Sequence, residues 1–466
     1  MADKLFPMLI NGKSVTTDKS IDVINPSTGE VIGQVPDLSE SQVADCLRAA
    51  REGFKQWSGK TPGERKTIIL RYADILEENK ERLVSLLIEE TGKPRDNAEY
   101  DFGMLTTCLR FFVEEAERLE QPVLHDPDGR FLHYVQRQPL GVVVGFLAWN
   151  FPLLNVGYKL GPVLASGCSV ILKPSTLTPL ASLEVAHLAS AAGIPDGVIN
   201  MVTCDNHEVP KGFLSSDIPE LVTMIGSTRG GLEVMNSSCT SIKHFSVELG
   251  GNAPVLVYAD ADIEAAANKI IDLKFANTGQ VCVSPNRCFV HESVYEKFID
   301  YAKKRATDIV MGPMISDKER QRVLGLIDAA KVSGAQVICG GKAVDGPGYF
   351  MEPTILSDVR RDMKTSCEEI FGPVLPVLSF SDTDDEIALA NDTEYGLAAY
   401  VFTTSLSVGL RAARDIQAGS VCVNEPHYSV QLPHGGLKQS GIGKDCSKYS
   451  LEEYLTLKRI SILIDK

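Results

Sequence analysis

From about residue 140 the chain alternates between short apolar runs rich in β-branched residues and longer segments with helical spacing. The runs are apolar throughout rather than at every second position. Strands that are buried on both faces and joined by helices are typical of a parallel sheet with helices on either side. The pattern therefore predicts a doubly wound α/β sheet of nucleotide-binding type, with strands at 141–147, 169–174, 198–203, 220–226 and 243–249.

A second series of the same kind follows Gly250-Gly251. Its predicted strands are PVLVY, RCFVHE, AQVICGG, EPTIL, VLPVLSF and AAYVFTT, and a helix is predicted at 262–276. Because glycine tolerates backbone conformations that strain other residues, we expect the chain to turn at the double glycine and begin a second domain. Two outlying segments, 130–140 and 454–464, alternate polar and apolar residues. They are predicted to be half-exposed strands that are covered or pair with another subunit.

Composition narrows the class of partner. The 466 residues are 44% hydrophobic and 23% charged, which is enough for a large core and for two or three domains. A net charge of -15 argues against nucleic acid, which requires a basic surface. The N-terminus lacks a signal-peptide pattern and no apolar window is long enough to span a membrane, so no membrane partner is expected. A small molecule is the expected partner.

The eleven cysteines indicate a reducing compartment. They are odd in number, scattered and mostly set among apolar neighbours, which suits free thiols in the cytoplasm better than a disulfide framework. The sequence contains no CxxC, HxxxH or HExxH pattern. We therefore predict no metal site.

Two predicted strand ends carry residues suited to a nucleotide. Lys173, Ser175 and Thr176 follow a strand at its carboxyl end, where parallel sheets place their ligands. Lys173 can reach a ribose or phosphate there, although a solvated lysine is the commoner occupant. Gly226 and Ser227 open GSTRGG, whose backbone N–H groups would hold a pyrophosphate if the glycines do more than form a tight turn.

Two polar residues at other strand ends are candidates for chemistry. Glu248 ends KHFSVEL, where a carboxylate is either paired structurally or kept for proton transfer. Asn150, in AWNFP, could donate its amide to a developing oxyanion, but asparagine at the head of a helix is more often a cap. Both readings stay open at this point.

Two cysteines lie in FANTGQVCVSPNRC. Cys282 follows a glycine-bearing loop near the predicted domain junction, where a substrate can reach it, whereas Cys288 lies within an apolar strand. Backbone N–H groups near Cys282 could lower the pKa of its thiol and stabilise charge on a bound carbonyl. The spacing favours Cys282 as a nucleophile and Cys288 as an interior residue.

Taken together, these segments resemble the aldehyde dehydrogenase superfamily over nearly the whole chain. Seven motifs carry the resemblance in the order typical of that family: PLGVVVGFLAWNFP, ILKPST, IGSTRGG, VELGGNAP, FANTGQVC, EEIFGPV and PHGGLKQSGIGKD. The resemblance implies a Rossmann-like cofactor domain, an α/β catalytic domain and a small β oligomerisation hairpin. It assigns 1–120 and 141–249 to the first, 250–448 to the second, and 121–140 and 449–466 to the third, and implies a homodimer or homotetramer.

The resemblance also implies a mechanism. Cys282 matches the nucleophile that forms a thiohemiacetal with the aldehyde, and Asn150 matches the donor to its oxyanion. Hydride transfer to NADP or NAD leaves a thioester, which water activated by Glu248 hydrolyses to the carboxylic acid. Further residues match cofactor-binding positions, namely Trp149, Lys173, Ser175, Thr176, Gly226, Ser227, Glu369 and Phe371.

Three departures bear on specificity. Many NAD-preferring relatives have glutamate where this chain has Thr176, so NADP is expected to be accepted. Enzymes acting on succinate semialdehyde use arginines at the positions of Tyr158 and Ala276, so a distal carboxylate loses its clamp here. The expected substrate is a small semialdehyde or a hydroxyaldehyde. The alternatives are a CoA-acylating dehydrogenase and a non-catalytic binding protein of the same fold.

Overall fold

The computed structural model describes residues 4–464. Its strands are β1 (Met8–Ile10), β2 (Lys13–Val15), β3 (Ser20–Ile24), β4 (Val31–Pro36), β5 (Val123–Leu124), β6 (Phe131–Pro139), β7 (Val142–Phe146), β8 (Ser169–Lys173), β9 (Ile199–Met201), β10 (Pro219–Ile225), β11 (His244–Glu248), β12 (Ala253–Val257), β13 (Pro285–His291), β14 (Gln336–Cys339), β15 (Thr354–Ser357), β16 (Val374–Phe380), β17 (Ala398–Phe402), β18 (Ser420–Val423), β19 (Gly441–Ile442) and β20 (Leu455–Leu463). Its α-helices are α1 (Glu40–Ser58), α2 (Pro62–Glu78), α3 (Lys80–Thr91), α4 (Arg95–Glu117), α5 (Pro152–Ser166), α6 (Leu180–Ala192), α7 (Glu208–Ser215), α8 (Thr228–Ser237), α9 (Ile263–Phe275), α10 (Tyr295–Ala306), α11 (Asp317–Val332), α12 (Lys364–Cys367), α13 (Glu386–Asn391), α14 (Leu406–Asp415) and α15 (Ser447–Glu453).

The first sheet is doubly wound, as its strand pattern predicts. Its order is β19-β11-β10-β7-β8-β9-β1-β2, and the five strands from β11 to β9 are parallel. Val143 and Leu172 pack into one core with α2 to α6, whereas Val142, Val144 and Ile171 pack into another with α1 and α7. Successive strand residues face opposite sides, so the two cores cover both faces. The edge strands β19, β1 and β2 are antiparallel and were not predicted.

The second sheet repeats this arrangement. Its order is β14-β15-β16-β13-β12-β17-β18, parallel except for the antiparallel edge strand β14. Val255 and Val257 pack with α9 and α10, whereas Leu256 and Phe289 pack with α11 and α14 on the opposite face. The predicted α/β fold class is confirmed for both series of strands.

The two outlying segments form one small sheet. β6 pairs antiparallel with β20 from Phe131–Leu463 to Pro139–Leu455, and β5 lies on the other side of β6. Several of its large apolar side chains remain exposed in the single chain, including Leu457 at 67% and Leu463 at 50%. An exposed apolar sheet of this kind is typical of a surface that another chain covers.

The chain crosses between the two large sheets at Gly250 and Gly251, but the reason differs from the one expected. Neither glycine has a positive φ, so no special turn conformation is needed there. A Cβ on Gly251 would instead lie 2.3 Å from the carbonyl oxygen of Cys282. The glycine therefore permits the first sheet to pack directly against the loop that carries this cysteine.

Candidate active site

A cavity of about 650 Å³ lies where the carboxyl ends of β7, β10 and β11 meet the loop before β13. This is the edge at which open parallel sheets bind ligands. Most of the predicted site residues line it together: Trp149, Asn150, Gly226, Ser227, Glu248, Cys282, Glu369 and Phe371. The structure thus brings residues that are far apart in sequence to one place.

Lys173, Ser175 and Thr176 lie one strand further along the same edge, outside the lining of this cavity. Lys173 ends β8 opposite Phe146 of β7, and all three side chains are half-buried. The Ser175 hydroxyl accepts a hydrogen bond from the backbone N–H of Leu177 at 3.2 Å, which holds the turn after β8. These residues are placed to contact a part of a ligand that extends beyond the cavity.

Cys282 lies at the end of a strained loop. Asn277 and Thr278 both have positive φ values, 47° and 60°, in the left-handed region that residues other than glycine rarely adopt. The Thr278 hydroxyl donates to the carbonyl of Gly312 at 2.9 Å, and this contact helps to hold the conformation. Cys282 is half-buried and faces the cavity, whereas Cys288 in β13 is fully buried.

The protein environment raises the pKa of the Cys282 thiol to about 12. Burial is the main cause, and the nearby carboxyl groups of Glu369 and Glu248 add to it. Hydrogen bonds from the backbone N–H groups of Val283 and Cys282 act in the predicted direction but are outweighed. The expectation of a lowered pKa is therefore wrong, because burial penalises the thiolate more than two N–H groups stabilise it. The thiol is protonated at neutral pH and needs a base to react.

Asn150 does not cap helix α5. Its amide Nδ2 donates to the carbonyl of Gln280 at 3.1 Å, which ties it to the nucleophile loop. Its buried Oδ1 has no hydrogen-bond partner within residues 4–464. The backbone carbonyl of Asn150 accepts from both Lys93 and Asn277 at 3.0 Å. Since one of the two amide N–H bonds of Asn150 is used by Gln280, the other is available to the cavity.

Glu248 is buried without a partner. It is 4% exposed, and neither carboxyl oxygen has a hydrogen-bond partner in the described part of the chain. Burial raises the pKa of Glu248 well above its usual value, and the charge of Asp445 raises it further, whereas Lys159 and Lys444 act in the opposite direction. A buried polar group left unpaired in a fold of this size points to function rather than stability.

A buried ion pair that was not predicted from the sequence lies near Glu248. Lys159 Nζ and Asp445 Oδ1 are 2.6 Å apart, and their side chains are 0% and 1% exposed. Asp445 lines the cavity and lies in the quoted motif PHGGLKQSGIGKD, but no role was given to it. A usable signal was present in α5, where Lys159 is the single charged residue of a mostly apolar helix.

A second group of lining residues is suited to a nicotinamide ribose. The rings of Trp149 and Phe371 meet edge to face with centroids 5.3 Å apart. Glu369 accepts a hydrogen bond from the backbone N–H of Gly251 at 2.8 Å, and burial raises the pKa of its carboxyl to about 7. Two aromatic rings and a carboxylate offer apolar contacts together with a hydrogen-bond acceptor for ribose hydroxyls.

The start of α8 is suited to a pyrophosphate. The Ser227 hydroxyl accepts from the N–H of Gly230 at 3.2 Å and caps the helix, and Gly226 and Ser227 line the cavity. The Gly226 N–H donates to the carbonyl of Glu248 at 3.0 Å, which fixes this turn against β11. A helix N-terminus attracts anions because its N–H groups and dipole face the ligand. The residues present therefore fit a dinucleotide.

Aromatic side chains with neutral polar tips form a third part of the lining. The His434 ring lies 6.2 Å from the ring of Tyr158 and 6.0 Å from that of Tyr428. Tyr428 and Tyr400 join their hydroxyls at 2.6 Å. Burial lowers the pKa of His434, so its imidazole is neutral at pH 7. We call Tyr158, Tyr428 and His434 the aromatic cluster.

Nowhere in residues 4–464 do three or more His, Cys, Asp or Glu side chains gather in a group able to hold a metal ion. No helix there has the length and apolarity to cross a membrane.

The doubly wound α/β fold and the residues that line the cavity are together typical of one class of protein, the dinucleotide-dependent α/β oxidoreductases. The family model described as "Aldehyde dehydrogenase family" matches residues 13–460, and the chain belongs to this family. The resemblance found in the seven motifs is thereby confirmed.

Named relatives show which reactions this family member is close to. The chain is 39% identical over 469 residues to the mitochondrial succinate-semialdehyde dehydrogenase of Arabidopsis thaliana, a match that covers 97% of this chain and 88% of the relative. It is 37% identical to GabD of Escherichia coli (strain K12), a succinate-semialdehyde dehydrogenase named for NADP(+), with 97% of both chains covered. The solved structure of an NAD-dependent aldehyde dehydrogenase from Sinorhizobium meliloti has a TM-score of 0.96 at 32% identity, covering 100% of this chain and 96% of that one.

These comparisons confirm the predicted reaction class. The protein is an enzyme that oxidises small aldehydes and uses NADP or NAD as its cofactor.

Proposed function

We propose that Cys282 attacks the aldehyde carbon and that the Asn150 amide and the backbone N–H of Cys282 hold the resulting oxyanion. The observation that carries this proposal is the shared cavity, which the Cys282 thiol, the Asn150 amide and the unpartnered Glu248 carboxyl all line. A nucleophile, an oxyanion donor and a base in one space are the groups that acyl chemistry needs. NADP or NAD, when bound, supplies the hydride acceptor that converts the thiohemiacetal to a thioester.

Glu248 is the proposed base for hydrolysis of the thioester. A carboxylate with a raised pKa is a stronger base than a solvated one, and burial raises the pKa of Glu248 well above its usual value. Glu248 carries its charge in a growing fraction of molecules as the pH rises. We therefore expect the rate of hydrolysis to increase with pH until this carboxyl is fully ionised.

The cofactor is proposed to bind along the sheet edge. Gly226 and Ser227 would hold its pyrophosphate at the start of α8, and Glu369, Phe371 and Trp149 would contact its nicotinamide ribose. This division follows from the chemistry of each group, since N–H donors suit phosphate and a carboxylate suits hydroxyls.

The adenosine end is proposed to bind at Lys173, Ser175 and Thr176. Thr176 is half-buried at the turn after β8 and brings no negative charge toward a 2'-phosphate. We therefore expect NADP to be accepted as a cofactor. Initial rates with each cofactor test this: a preference for NAD above about a hundredfold in kcat/KM, about 2.7 kcal/mol, would contradict it.

The proposed substrate is a small semialdehyde or a hydroxyaldehyde. The aromatic cluster offers hydroxyl groups and a neutral imidazole, which suit a neutral polar substituent better than a carboxylate. Ala276, which also lines the cavity, adds space without charge. Relatives named for succinate semialdehyde act on an aldehyde with a distal carboxylate, so a neutral substrate would set this chain apart from them.

We propose a homodimer or homotetramer in which the sheet of β5, β6 and β20 is covered by a second subunit. Its exposed apolar side chains support this, because a lone chain would leave them in water. All eleven cysteines are free thiols, which supports a reducing compartment such as the cytoplasm. Size-exclusion chromatography with light scattering would measure the oligomer.

We also propose the domain division predicted from the sequence, with 1–120 and 141–249 binding the cofactor, 250–448 carrying the nucleophile, and 121–140 and 449–466 forming the oligomerisation sheet. The two large sheets with separate cores support it. The chain returns to the first sheet near the end of 250–448, where β19 (Gly441–Ile442) pairs with β11. Residues 1–3 and 465–466 of these ranges lie outside the described part of the chain.

A panel of aldehydes assayed with NAD and with NADP tests the proposed function. Small hydroxyaldehydes and semialdehydes should both be oxidised, with the neutral hydroxyaldehydes giving the higher kcat/KM, and Cys282→Ser should abolish NAD(P)H formation with all of them. Cys288→Ser is the matched control and should keep its activity. Addition of coenzyme A should leave the free acid as the product. Acyl-CoA in the mass spectrum would instead show the acylating reaction.

A further inference from the structure

The backbone carbonyl of Asn150 is held from two sides by side chains outside the predicted site. Lys93 Nζ donates to it at 3.0 Å from the loop between α3 and α4. Asn277 Nδ2 donates to it at 3.0 Å from the nucleophile loop, and the same amide donates to the carbonyl of Gln280 at 3.3 Å. Both ends of Asn150 are therefore fixed, because its own Nδ2 also donates to Gln280.

Lys93 is itself fixed by a buried partner. Its side chain is 1% exposed, and its Nζ lies 2.6 Å from Oδ2 of Asp101, which is completely buried. The other oxygen of Asp101 accepts from the backbone N–H of Leu154 at 2.7 Å, in the first turn of α5. Lys93 Nζ also lies 4.5 Å from the ring centre of Phe151. The ammonium group thus has one position, between Asp101 and the peptide that follows β7.

The loop that carries Lys93 also contacts the segment that supports Cys282. A Cβ on Gly92 would lie 2.5 Å from Pro313. The carbonyl of Pro313 accepts from Gln280 Nε2 at 3.3 Å, and the carbonyl of Gly312 accepts from the Thr278 hydroxyl at 2.9 Å. A continuous set of contacts therefore joins the Lys93 loop, the 312–313 segment and the nucleophile loop.

We propose that Lys93 is a positioning residue that sets the distance and angle between the Asn150 amide and the Cys282 carbonyl adduct. This inference rests on the proposed role of Asn150 as oxyanion donor. Without the ammonium group, the Asn150 peptide keeps only the Asn277 donor and can rotate, which displaces the amide. A displacement of about 1 Å costs about a hundredfold in rate when a group must meet a developing charge.

The alternative is that Lys93 only stabilises the fold through Asp101. A stabilising residue changes the fraction of folded enzyme, whereas a positioning residue changes the rate of each folded molecule. The two roles are separated by asking whether the effect of Lys93 depends on Asn150.

The test is a double-mutant cycle of Lys93→Met and Asn150→Ala in the full-length enzyme, with the pre-steady-state rate of NADPH formation measured at saturating cofactor and aldehyde. We expect Lys93→Met to lower this rate about 10- to 100-fold and to lower it less than about twofold in the Asn150→Ala background. Cofactor affinity and the alkylation rate of Cys282 by iodoacetamide, followed by mass spectrometry, should stay within about twofold of wild type, because neither needs the oxyanion donor. Arg65→Met, which removes a buried cation bound to the carbonyl of Lys60 and outside the lining of the cavity, is the control and should keep the wild-type rate.

The possible outcomes distinguish failure of the proposed role of Asn150 from failure of the proposed role of Lys93. If Asn150→Ala keeps the wild-type rate, the proposed role of Asn150 fails and this inference fails with it. If Asn150→Ala is slow but Lys93→Met is not, only the inference about Lys93 is overturned, and equal losses by Lys93→Met in both backgrounds overturn it as well. Where Lys93→Met folds poorly, Lys93→Met/Asp101→Asn avoids an unpaired buried charge. It should show the same loss of rate, and a wild-type rate in that variant would overturn the inference.

Discussion

Two buried lysine–aspartate pairs contact helix α5. They differ in whether the second carboxylate oxygen of the aspartate has a hydrogen-bond partner. In both pairs, Lys93–Asp101 and Lys159–Asp445, the charged atoms are 2.6 Å apart and the side chains are at most 1% exposed. Asp101 uses its second oxygen to accept from the N–H of Leu154. Oδ2 of Asp445 has no partner among the residues that the structure describes.

The Lys93–Asp101 pair fixes the geometry of a neighbouring group, whereas Asp445 of the other pair acts on a neighbouring group through its charge. Asp101 has its acceptors satisfied, so the pair it forms holds Lys93 against the Asn150 carbonyl. Asp445 keeps a buried oxygen without a partner among the described residues, and its charge is the second cause of the raised pKa of Glu248. Charges act more strongly where water is excluded, so the same two residue types serve different ends.

The largest effect should follow replacement of Glu248, whose pKa is shifted by the charges of Asp445 and Lys159. Glu248→Gln should lower steady-state kcat about 10²- to 10⁴-fold, or about 3–5 kcal/mol, because Glu248 is the proposed base that activates water for hydrolysis. The first turnover of NADPH should still appear as a burst, since thiohemiacetal oxidation precedes hydrolysis. Stopped-flow absorbance in the NAD(P)H band would record both phases. Loss of the burst together with kcat would place Glu248 in an earlier step.

Replacing either lysine should destabilise the protein, and the two replacements should lower the free energy of unfolding by different amounts. Removing one partner of a buried pair costs about 3–5 kcal/mol because the other charge stays buried. We expect Lys159→Met to lower the free energy of unfolding more than Lys93→Met, because Asp101 keeps the Leu154 N–H and Asp445 has only Lys159 on its side-chain oxygens. Urea unfolding at pH 7 measures both variants.

The neutral double variants are the controls for this prediction. Lys159→Met/Asp445→Asn and Lys93→Met/Asp101→Asn should each recover part of the loss, since neither leaves a charge unpaired. Equal losses in the two single lysine variants would mean that the second oxygen of the aspartate makes no difference to stability.

The strands and the main polar residues of the site could be predicted because their signals are local. Apolar runs between helices specify parallel strands, and residues at the ends of those strands must meet at one sheet edge. Glu248 and Asn150 were identified in this way, and the family motifs singled out Cys282 among eleven cysteines. Thr176 and Lys173 were placed correctly at the end of β8 for the same reason.

The rest depended on contacts between distant segments. Lys93 reaches Asn150 across 57 positions and Lys159 reaches Asp445 across 286, and no local pattern encodes such pairs. The pKa of Cys282 was predicted in the wrong direction because the number of atoms around a thiol is decided by the packing of two sheets. The short edge strand β19 was missed because its two residues carry no periodicity.

A third buried acid extends the comparison to a carboxyl with no lysine bound to it. Glu90 accepts from the N–H groups of Leu180 and Ala181 at the start of α6, and burial raises its pKa to about 8. The folded state keeps this proton while the unfolded chain ionises above about pH 4.5, so the stabilising contribution is complete below that pH and is lost as the pH rises towards 8.

Stability should therefore fall between pH 5 and pH 7, by about 2–3 kcal/mol from Glu90. Glu90→Gln should remove this part of the slope in urea unfolding measured across the pH range. Glu369 and Glu453, each with a pKa of about 7, and Glu248, whose pKa burial also raises, contribute in the same direction, so part of the slope should remain in the variant. An unchanged slope in Glu90→Gln would show that Glu90 is ionised in the folded protein.

The smallest effect is expected from removing the charge of Asp445, which tests its influence on the pKa of Glu248 directly. Asp445→Asn removes a negative charge that raises the pKa of Glu248 and leaves Lys159 and Lys444, whose charges lower it, while Glu453 still raises it. The pKa of Glu248 should therefore fall, and the acid limb of the kcat profile should move to lower pH. Asp101→Asn is the matched control, because Asp101 is not among the main causes of the raised pKa of Glu248, and its acid limb should stay in place even if its rate falls. A limb that moves equally in both variants, or to higher pH in Asp445→Asn, would mean that the unpaired oxygen of Asp445 does not set the ionisation of Glu248.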